Sequence, residues 1–204
     1  MSLKVGGIVL CGGESRRMGR PKAWLPFGDE LMLQRVVRIL RGIVEPVIVV
    51  AAPGQELPPL EPPVELVHDL RKGRGPLEAL AAGLRGMAER GVEAAYTSST
   101  DVPFLQPSFV RRMIELLDDR LIAVPYVQER YHPLVAVYRT TVLPEIDRLL
   151  AADRFRPLFL FDAVATRVVR SDELQAVDPT FLSLRNLNTL DEYNAALAEC
   201  SIGS

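Results

Sequence analysis

The stretch KVGGIVLCGGESRRMGRPK, residues 4–22, changes character along its length. Its first part, residues 4–11, is a largely apolar run, which predicts a strand buried on both faces of a sheet. Two glycines follow, and then four basic side chains come within seven residues, at Arg16, Arg17, Arg20 and Lys22. Glycines let backbone N–H groups approach an anion closely, and arginine and lysine add positive charge. The stretch therefore predicts a buried strand that ends in an anion-binding loop.

The rest of the chain alternates short apolar runs with longer amphipathic ones. We predict strands over 4–11, 46–52, 64–68, 93–100, 121–127 and 133–139. We predict helices over 31–40, 75–91, 107–119, 141–152 and 189–199. This alternation indicates an α/β fold, in which helices cover both faces of the sheet. Residues 153–185 have a mixed pattern that gives no assignment.

Composition and charge are those of an ordinary globular protein. The 204 residues are 48% hydrophobic and 25% charged, which predicts one domain over residues 1–204 with a single large core. The formal net charge is −2, so neither a nucleic acid nor a membrane surface is an expected partner. We find no secretory signal pattern and no run near the roughly 18 apolar residues of a membrane span, and we expect a cytoplasmic protein.

Cysteine and histidine are scarce in this chain. The two cysteines, Cys11 and Cys200, predict no disulfide framework, and with only His68 and His132 a zinc site is not expected. Cys11 lies beside the glycines, but a nucleophilic cysteine needs a nearby base, so packing is the favoured role. His132 fits either a position near a functional site or an ordinary position at an edge.

Three loops that follow predicted strands carry groups able to bind a ligand. They are the basic loop, the loop with Asp69 and the loop with Asp101. In open α/β sheets, ligands bind at the carboxyl ends of strands, so we expect the three loops to converge. A carboxylate at Asp101 suits Mg²⁺, which takes one or two carboxylates together with substrate phosphates. Asp69 could contact a sugar or a base. The alternatives are a solvated basic turn, an Asx-type turn at Asp101 and a plain turn at Asp69.

Residues 186–193, NLNTLDEY, place two amides before the last predicted helix. Asn186 or Asn188 could direct an amide at a ligand. Thr189 with Glu192 also fits a capping box, so helix capping accounts for part of this stretch.

Five motifs together resemble the molybdenum cofactor guanylyltransferases, the MobA-like nucleotidyltransferases. The motifs are LCGGESRRMGRPK (10–22), HDLRKGRGPLEAL (68–80), TDVPFL (100–105), HPLVAVYR (132–139) and NLNTLDEY (186–193). They occur in order, and the resemblance runs from residue 5 to about residue 195. The first motif is similar to that of the wider nucleotidyltransferase superfamily. The His-Pro and the Asn-Leu-Asn-Thr narrow the resemblance to the molybdopterin branch of that superfamily.

The resemblance implies a Rossmann-like, three-layer α/β/α fold with a mostly parallel sheet. It implies Mg²⁺-dependent transfer of GMP from GTP to molybdopterin-bound molybdenum cofactor, with release of pyrophosphate. The partners would be GTP and the molybdopterin cofactor, with transient contacts to other cofactor-biosynthesis proteins or to molybdoenzymes. The N-terminal part would bind the nucleotide, and the C-terminal part would bind the acceptor.

The resemblance also assigns roles to individual residues. The implied nucleotide contacts are Leu10, Cys11, Gly12, Gly13, Lys22, Asp69 and Asp101. Arg17, Lys22 and Asp101 would be catalytic, since the two cations neutralise phosphate charge and the carboxylate holds Mg²⁺. Asn186 and Asn188 would face the acceptor.

The chain departs from the family pattern at three places. These are Ala51-Ala52-Pro53 where an asparagine is frequent, Glu78-Ala79 where an Ala-Gly pair is common, and Ser99-Thr100 where a cysteine often precedes the aspartate. The identity of the base in the nucleotide substrate is therefore left open. A related cytidylyltransferase or sugar-phosphate nucleotidyltransferase is the first alternative function. A non-catalytic GTP-binding module that delivers cofactor is the second.

Overall fold

The computed structural model describes residues 3–12, 20–68 and 75–202, with side chains as far as residue 200. The strands in this part are β1 (Val5–Leu10), β2 (Pro26–Phe27), β3 (Glu30–Leu31), β4 (Val47–Ala51), β5 (Glu65–His68), β6 (Ala94–Ser99), β7 (Ile122–Val127), β8 (Arg130–Tyr131), β9 (Val137–Arg139) and β10 (Thr166–Arg170). One sheet has the order β10-β7-β9-β6-β1-β4-β5, with β8 paired to β7 outside that path. Strands β2 and β3 form a separate hairpin.

The helices cover the sheet and connect its strands. They are α1 (Met32–Arg41), α2 (Pro76–Glu89), α3 (Pro107–Glu115), α4 (Leu143–Ala151), α5 (Leu158–Phe161), α6 (Ser171–Leu174) and α7 (Leu190–Ile202). Both α2 and α3 begin at a proline, because the first helical position needs no backbone N–H partner. Within the described ranges, no helix has the length and apolarity needed to cross a membrane.

Strand directions bring the carboxyl ends of the main strands to one edge of the sheet. Strand β1 is parallel to both β4 and β6, and β4 is parallel to β5. Strand β9 runs antiparallel to both β6 and β7, so β6 and β7 point the same way. The loops that follow β1, β4, β5, β6 and β7 therefore all start at this edge, which we call the carboxyl edge.

Helices pack on both faces of the sheet, as the continuous apolar strands predict. Along β1, Ile8 and Leu10 belong to the core beneath α2, α4 and α5, whereas Val9 belongs to the opposite core beneath α1, α3 and α6. Successive side chains of a strand point to opposite faces, so an apolar residue at every position satisfies both cores. The prediction of a three-layer α/β fold with a mostly parallel sheet is confirmed.

Helix α2 lies unusually close to the sheet at two glycines. A Cβ atom at Gly83 would lie 2.8 Å from Ile8 Cγ2, and one at Gly86 would lie 2.9 Å from Ile48 Cδ1. A glycine inside a helix normally costs stability, so these two positions are explained by the close packing of α2 over β1 and β4.

The structure corrects several predicted boundaries. The strand predicted over 133–139 is reduced to β9, because Pro133 offers no N–H and the Val135 N–H donates to the His132 carbonyl in a turn. The helix predicted over 107–119 ends at Glu115, shortly before Asp118, which has a positive φ of 48°. The unassigned segment 153–185 supplies α5, α6 and the edge strand β10.

A third, smaller core joins the two ends of the chain. Its buried members are Leu25, Phe27, Met32, Leu187, Tyr193 and Ala196. Tyr193 of α7 donates its hydroxyl to the Pro26 carbonyl of the β2–β3 hairpin at 2.5 Å. This core holds the segment before α7 against the segment after the basic loop.

Candidate active site

The ends of β1 and β6 are bonded to each other at the carboxyl edge. The Thr100 N–H donates to the Leu10 carbonyl at 3.3 Å, and the Thr100 hydroxyl donates to the same oxygen at 3.3 Å. On the other side, the Cys11 N–H donates to the Val50 carbonyl of β4 at 2.8 Å. Leu10 and Cys11, two predicted nucleotide contacts, are thus fixed beside the loop that carries Asp101, and Gly12 follows them directly.

Asp101 is the centre of the site. Its Oδ2 accepts a hydrogen bond from Lys22 Nζ at 2.7 Å. Its Oδ1 accepts one from the Ser99 hydroxyl at 2.5 Å and one from Asn186 Nδ2 at 2.9 Å. The side chains of Lys22 and Asp101 are 19% and 14% exposed, so this ion pair is largely shielded from water but open to a ligand. The expected convergence of the basic loop with the loop that carries Asp101 is therefore seen at Lys22.

Lys22 has a second partner on the opposite part of the chain. Its Nζ donates to Asn188 Oδ1 at 2.9 Å, across 166 positions of sequence. The contact is possible because the third core packs Leu187 beneath the site, and the Leu187 N–H donates to the Asp101 carbonyl at 2.9 Å. Lys22 itself begins a 3-10 turn that leads into the β2–β3 hairpin of that core. The third core therefore assembles the site from both chain ends.

The segment before α7 combines a helix cap with these polar contacts. Glu192 Oε2 accepts from the Asn188 N–H at 2.7 Å and from the Thr189 N–H at 3.0 Å, and the Thr189 hydroxyl accepts from the Glu192 N–H at 3.2 Å. These bonds, chiefly that from Asn188, lower the pKa of the Glu192 carboxyl. The predicted capping box is confirmed, and it leaves the Asn188 side chain available to Lys22.

Gln55 occupies the region where the chain lacks the family's frequent asparagine. Its Nε2 donates to the Cys11 carbonyl at 2.9 Å, while its Oε1 accepts from the Ala52 N–H at 3.0 Å. Gln55 therefore links the carboxyl ends of β1 and β4. Burial raises the pKa of the Cys11 thiol, against weaker opposing hydrogen bonds from Thr100 and Gln55. A raised pKa suits the packing role predicted for Cys11 and not a nucleophile.

His132 lies at the same edge, in the turn between β8 and β9. Its backbone N–H donates to the Pro125 carbonyl at 3.0 Å. Burial, followed by the charge of Arg130, lowers the pKa of His132, and a hydrogen bond with the Val127 backbone opposes this shift. The buried Nε2 of His132 has no hydrogen-bond partner in the described part of the chain.

Three predicted site residues lie outside the described residues. They are Gly13, Arg17 and Asp69. The predicted convergence of the three loops is therefore seen only for the ends of the first loop and for the loop that carries Asp101.

The donor set at Asp101 fits a divalent metal. No group of three or more histidine, cysteine, aspartate or glutamate side chains that could hold a metal occurs within the described ranges. A single carboxylate is enough for Mg²⁺, because substrate phosphates and water complete its oxygen coordination. Oδ2 of Asp101 already accepts one cation, the ammonium of Lys22, so a positive charge is favourable at this position.

Comparison with protein families decides the group to which this arrangement belongs. Residues 7–169 match the family model described as the MobA-like NTP transferase domain. The chain belongs to the MobA-like NTP transferase family. Membership of this family makes the chain a nucleotidyltransferase. The matched region includes Lys22 and Asp101, while Asn186 and Asn188 lie beyond its end.

Relatives of this MobA-like NTP transferase extend the match past the family model. A Mycobacterium avium protein named "Probable molybdenum cofactor guanylyltransferase" is 39% identical over 192 residues, which covers 92% of each chain. Molybdopterin-guanine dinucleotide biosynthesis protein A from Archaeoglobus fulgidus superposes with a TM-score of 0.77 at 21% identity, and the match covers 98% of this chain and 100% of that one. A Mycobacterium tuberculosis protein solved in complex with manganese gives a TM-score of 0.59 at 19% identity, with 97% and 100% covered.

Sequence reasoning missed the roles of two residues in this MobA-like NTP transferase. Ser99 enters the sequence analysis only as a departure from the family pattern, although its position near the end of a predicted strand, two residues before Asp101, is a signal. Gln55 gave no signal, because it lies in a proline- and glycine-containing turn and reaches Cys11 only through the pairing of β4 with β1.

Proposed function

We propose that this chain is a molybdenum cofactor guanylyltransferase, which transfers GMP from GTP to the molybdopterin-bound molybdenum cofactor and releases pyrophosphate. The observation that carries the proposal is the 2.7 Å contact of Lys22 Nζ with Asp101 Oδ2, because a cation suited to phosphate and a carboxylate suited to a divalent metal then lie together. The name of the Mycobacterium avium relative supports the choice of nucleotide and acceptor.

The proposed reaction brings two anions together. A terminal phosphate oxygen of the acceptor attacks the α-phosphorus of GTP in line with the leaving group. The new P–O bond forms as the bond to the bridging oxygen of the β-phosphate breaks, and pyrophosphate leaves with that electron pair. A phosphate nucleophile is already ionised at pH 7, so positioning and charge neutralisation supply most of the catalysis. The scarcity of histidine at the site agrees with a reaction that needs no strong general base.

The residues of the site divide this work. Lys22 would stabilise negative charge on the phosphates as it grows in the transition state, and Arg17 is proposed to do the same. Asp101 would hold a divalent cation, for which we propose Mg²⁺; the manganese complex of the Mycobacterium tuberculosis protein supports a divalent ion. When bound, such an ion supplies charge neutralisation at the phosphate oxygens.

The remaining assignments follow the same division along the chain. We propose that residues 1–204 act as one domain in the cytoplasm, with nucleotide binding in its N-terminal part and acceptor binding in its C-terminal part. The proposed nucleotide contacts are Leu10, Cys11, Gly12, Gly13, Lys22, Asp69 and Asp101. Asn186 and Asn188 are proposed to combine acceptor binding with their contacts to Asp101 and Lys22.

A single incubation tests the proposal. Purified protein is mixed with Mg²⁺, molybdopterin cofactor and, in separate reactions, GTP, CTP, ATP or UTP, and the released pyrophosphate and the mass of the product are measured. We expect pyrophosphate and a guanosine-containing dinucleotide with GTP. Turnover with CTP in preference to GTP would make the chain a cytidylyltransferase. Binding of GTP without pyrophosphate release under any condition would make it a cofactor-delivery module.

A further inference from the structure

The two oxygens of Asp101 have partners of different kinds. Oδ1 accepts two neutral donors, the Ser99 hydroxyl at 2.5 Å and Asn186 Nδ2 at 2.9 Å. Oδ2 accepts Lys22 Nζ at 2.7 Å, and that ammonium is also bonded to Asn188. The carboxylate therefore has one oxygen with two neutral donors and one oxygen with a charged donor.

We propose that Ser99 is a positioning residue: with Asn186 it holds Oδ1, which fixes the Asp101 side chain with Oδ2 toward the site, where Lys22 and the divalent metal compete for that oxygen. The inference rests on the proposed function, because it concerns how the metal reaches Asp101. It assigns a role to Ser99, and it predicts that nucleotide is needed for tight metal binding.

The surroundings of Ser99 support this role. The residue ends β6 and is 8% exposed, so water has little access to its hydroxyl. A hydroxyl that donates to a carboxylate forms a short, charge-assisted bond, which fixes the rotation of the Asp101 side chain. Its neighbour Ser98 is fully buried, and the Ser98 hydroxyl donates to the Ser99 carbonyl at 3.3 Å instead of to the site. The two serines therefore differ in contact with Asp101 while both are shielded from solvent.

The position of Lys22 sets the competition. An ammonium 2.7 Å from Oδ2 is close enough to repel a second cation bound to that oxygen. A triphosphate offers Lys22 a stronger negative partner than one carboxylate, so nucleotide binding draws the ammonium away from Oδ2. By linkage, the nucleotide then raises the affinity for metal by the same factor as the metal raises the affinity for nucleotide.

Mn²⁺ binding measured by electron paramagnetic resonance, with and without GTP and with no acceptor present, tests the inference apart from turnover. For the wild type, we expect weak binding alone and stronger binding with GTP. Ser99→Ala should weaken Mn²⁺ binding with GTP about 10-fold, the usual loss when a ligand's supporting hydrogen bond is removed. Ser98→Ala is the matched control and should bind like the wild type, and Ser99→Thr keeps the hydroxyl and should also do so.

Lys22→Met should have the opposite effect on the protein alone. Without the ammonium, Oδ2 is open, so Mn²⁺ binding without GTP should become tighter than in the wild type and should gain little from added GTP. Unchanged Mn²⁺ affinity in both Ser99→Ala and Lys22→Met, at wild-type melting temperature, would overturn this inference and leave the proposed function standing. If Asp101→Asn bound Mn²⁺ and GTP together as well as the wild type does, the metal role of Asp101 in the proposed function would fail as well.

Discussion

Asp178 and Asp101 are both shielded from solvent, but their oxygens have different kinds of partner. Asp178 is 3% exposed, and its Oδ1 and Oδ2 accept from the backbone N–H groups of Leu182 at 3.0 Å and Ser183 at 2.8 Å. Phe181, which lies in the turn between Asp178 and Leu182, has a positive φ of 54°. The Asp178 carboxylate thus stabilises a turn that contains an unfavourable backbone conformation.

In the described part of the chain, the donors to the Asp101 carboxylate are three side chains, and one of them is a lysine at the end of a flexible stem. Backbone N–H groups can leave a carboxylate only if the turn itself opens, whereas a lysine can rotate away to another anion. Shielding from solvent therefore does not separate these two aspartates. Asp101 differs in that one of its donors is a lysine side chain, the group that the proposed nucleotide would draw away.

The strongest test of this contrast is the replacement Asp101→Asn. We expect turnover to fall about 10³-fold, because an amide cannot supply the negative charge that holds the metal. The free energy of unfolding should change little. Pyrophosphate release and thermal melting measured on the same samples check both expectations, and near wild-type metal-dependent turnover would remove Asp101 from the mechanism.

The complementary test is Asp178→Ala. It removes two hydrogen bonds from backbone groups to a charged acceptor, so we expect a loss of about 3 kcal/mol in the free energy of unfolding. Turnover of the folded protein should stay close to that of the wild type. Denaturant unfolding measures the loss, with the exposed Asp172→Ala as the control aspartate. A stable but inactive Asp178→Ala protein would contradict the contrast drawn here.

Lys22→Ala removes the charged donor to Asp101. We expect turnover to fall about 10²-fold, in line with the loss of one preorganised charge that acts on the transition state. Lys4, which precedes the amino end of β1 at the opposite edge of the sheet, provides the control variant Lys4→Ala. An unchanged rate for Lys22→Ala would mean that phosphates do not bind at this end of the basic loop.

The smallest effect concerns the capping box beside the site. Thr189→Ala should lower the free energy of unfolding by about 1 kcal/mol, as is typical for the loss of a helix N-cap. The pKa of Glu192 is lowered in the folded protein from its ordinary value of 4.5, so the stabilisation from this carboxylate is complete above that pH and is lost as the pH falls through the lower folded value.

Unfolding of the wild type and of Glu192→Gln, followed between pH 6 and pH 3, checks this dependence. The difference in stability between the two proteins should shrink as the pH falls. A difference that grows with acidification would contradict the assignment of Glu192 as a charged acceptor in the cap.

The parts of this structure that the sequence predicts are those with a strong local pattern. The apolar strands β1, β4, β6 and β7 and the amphipathic helices α1 and α2 lie close to their predicted bounds. Strand β10, TRVVR, was missed because only two of its five residues are apolar, and it is an edge strand with most side chains only partly buried.

The candidate site was predictable as a set of residues on converging loops, but the individual contacts between them were not. Lys22 and Asp101 follow from the basic loop and from a carboxylate at the end of a strand. The contacts of Asn186 with Asp101 and of Asn188 with Lys22 depend on the packing of Leu187 beneath the site. Such packing between distant segments leaves no trace in local periodicity, so these two contacts could not be predicted; that the amides also face the acceptor stays a prediction.

The third core determines when the candidate site can be completed during translation. Asn186 and Asn188 contact Asp101 and Lys22 from the C-terminal side, and Leu187 and Tyr193 anchor this segment in the third core. The ribosome adds these residues after every described strand. A nascent chain whose sheet has already folded would expose the lysine and the carboxylate without their amide partners. The contacts at Lys22 and Asp101 are therefore complete only once α7 has been made, and a chain released before Leu187 would carry the strands of the sheet without these contacts.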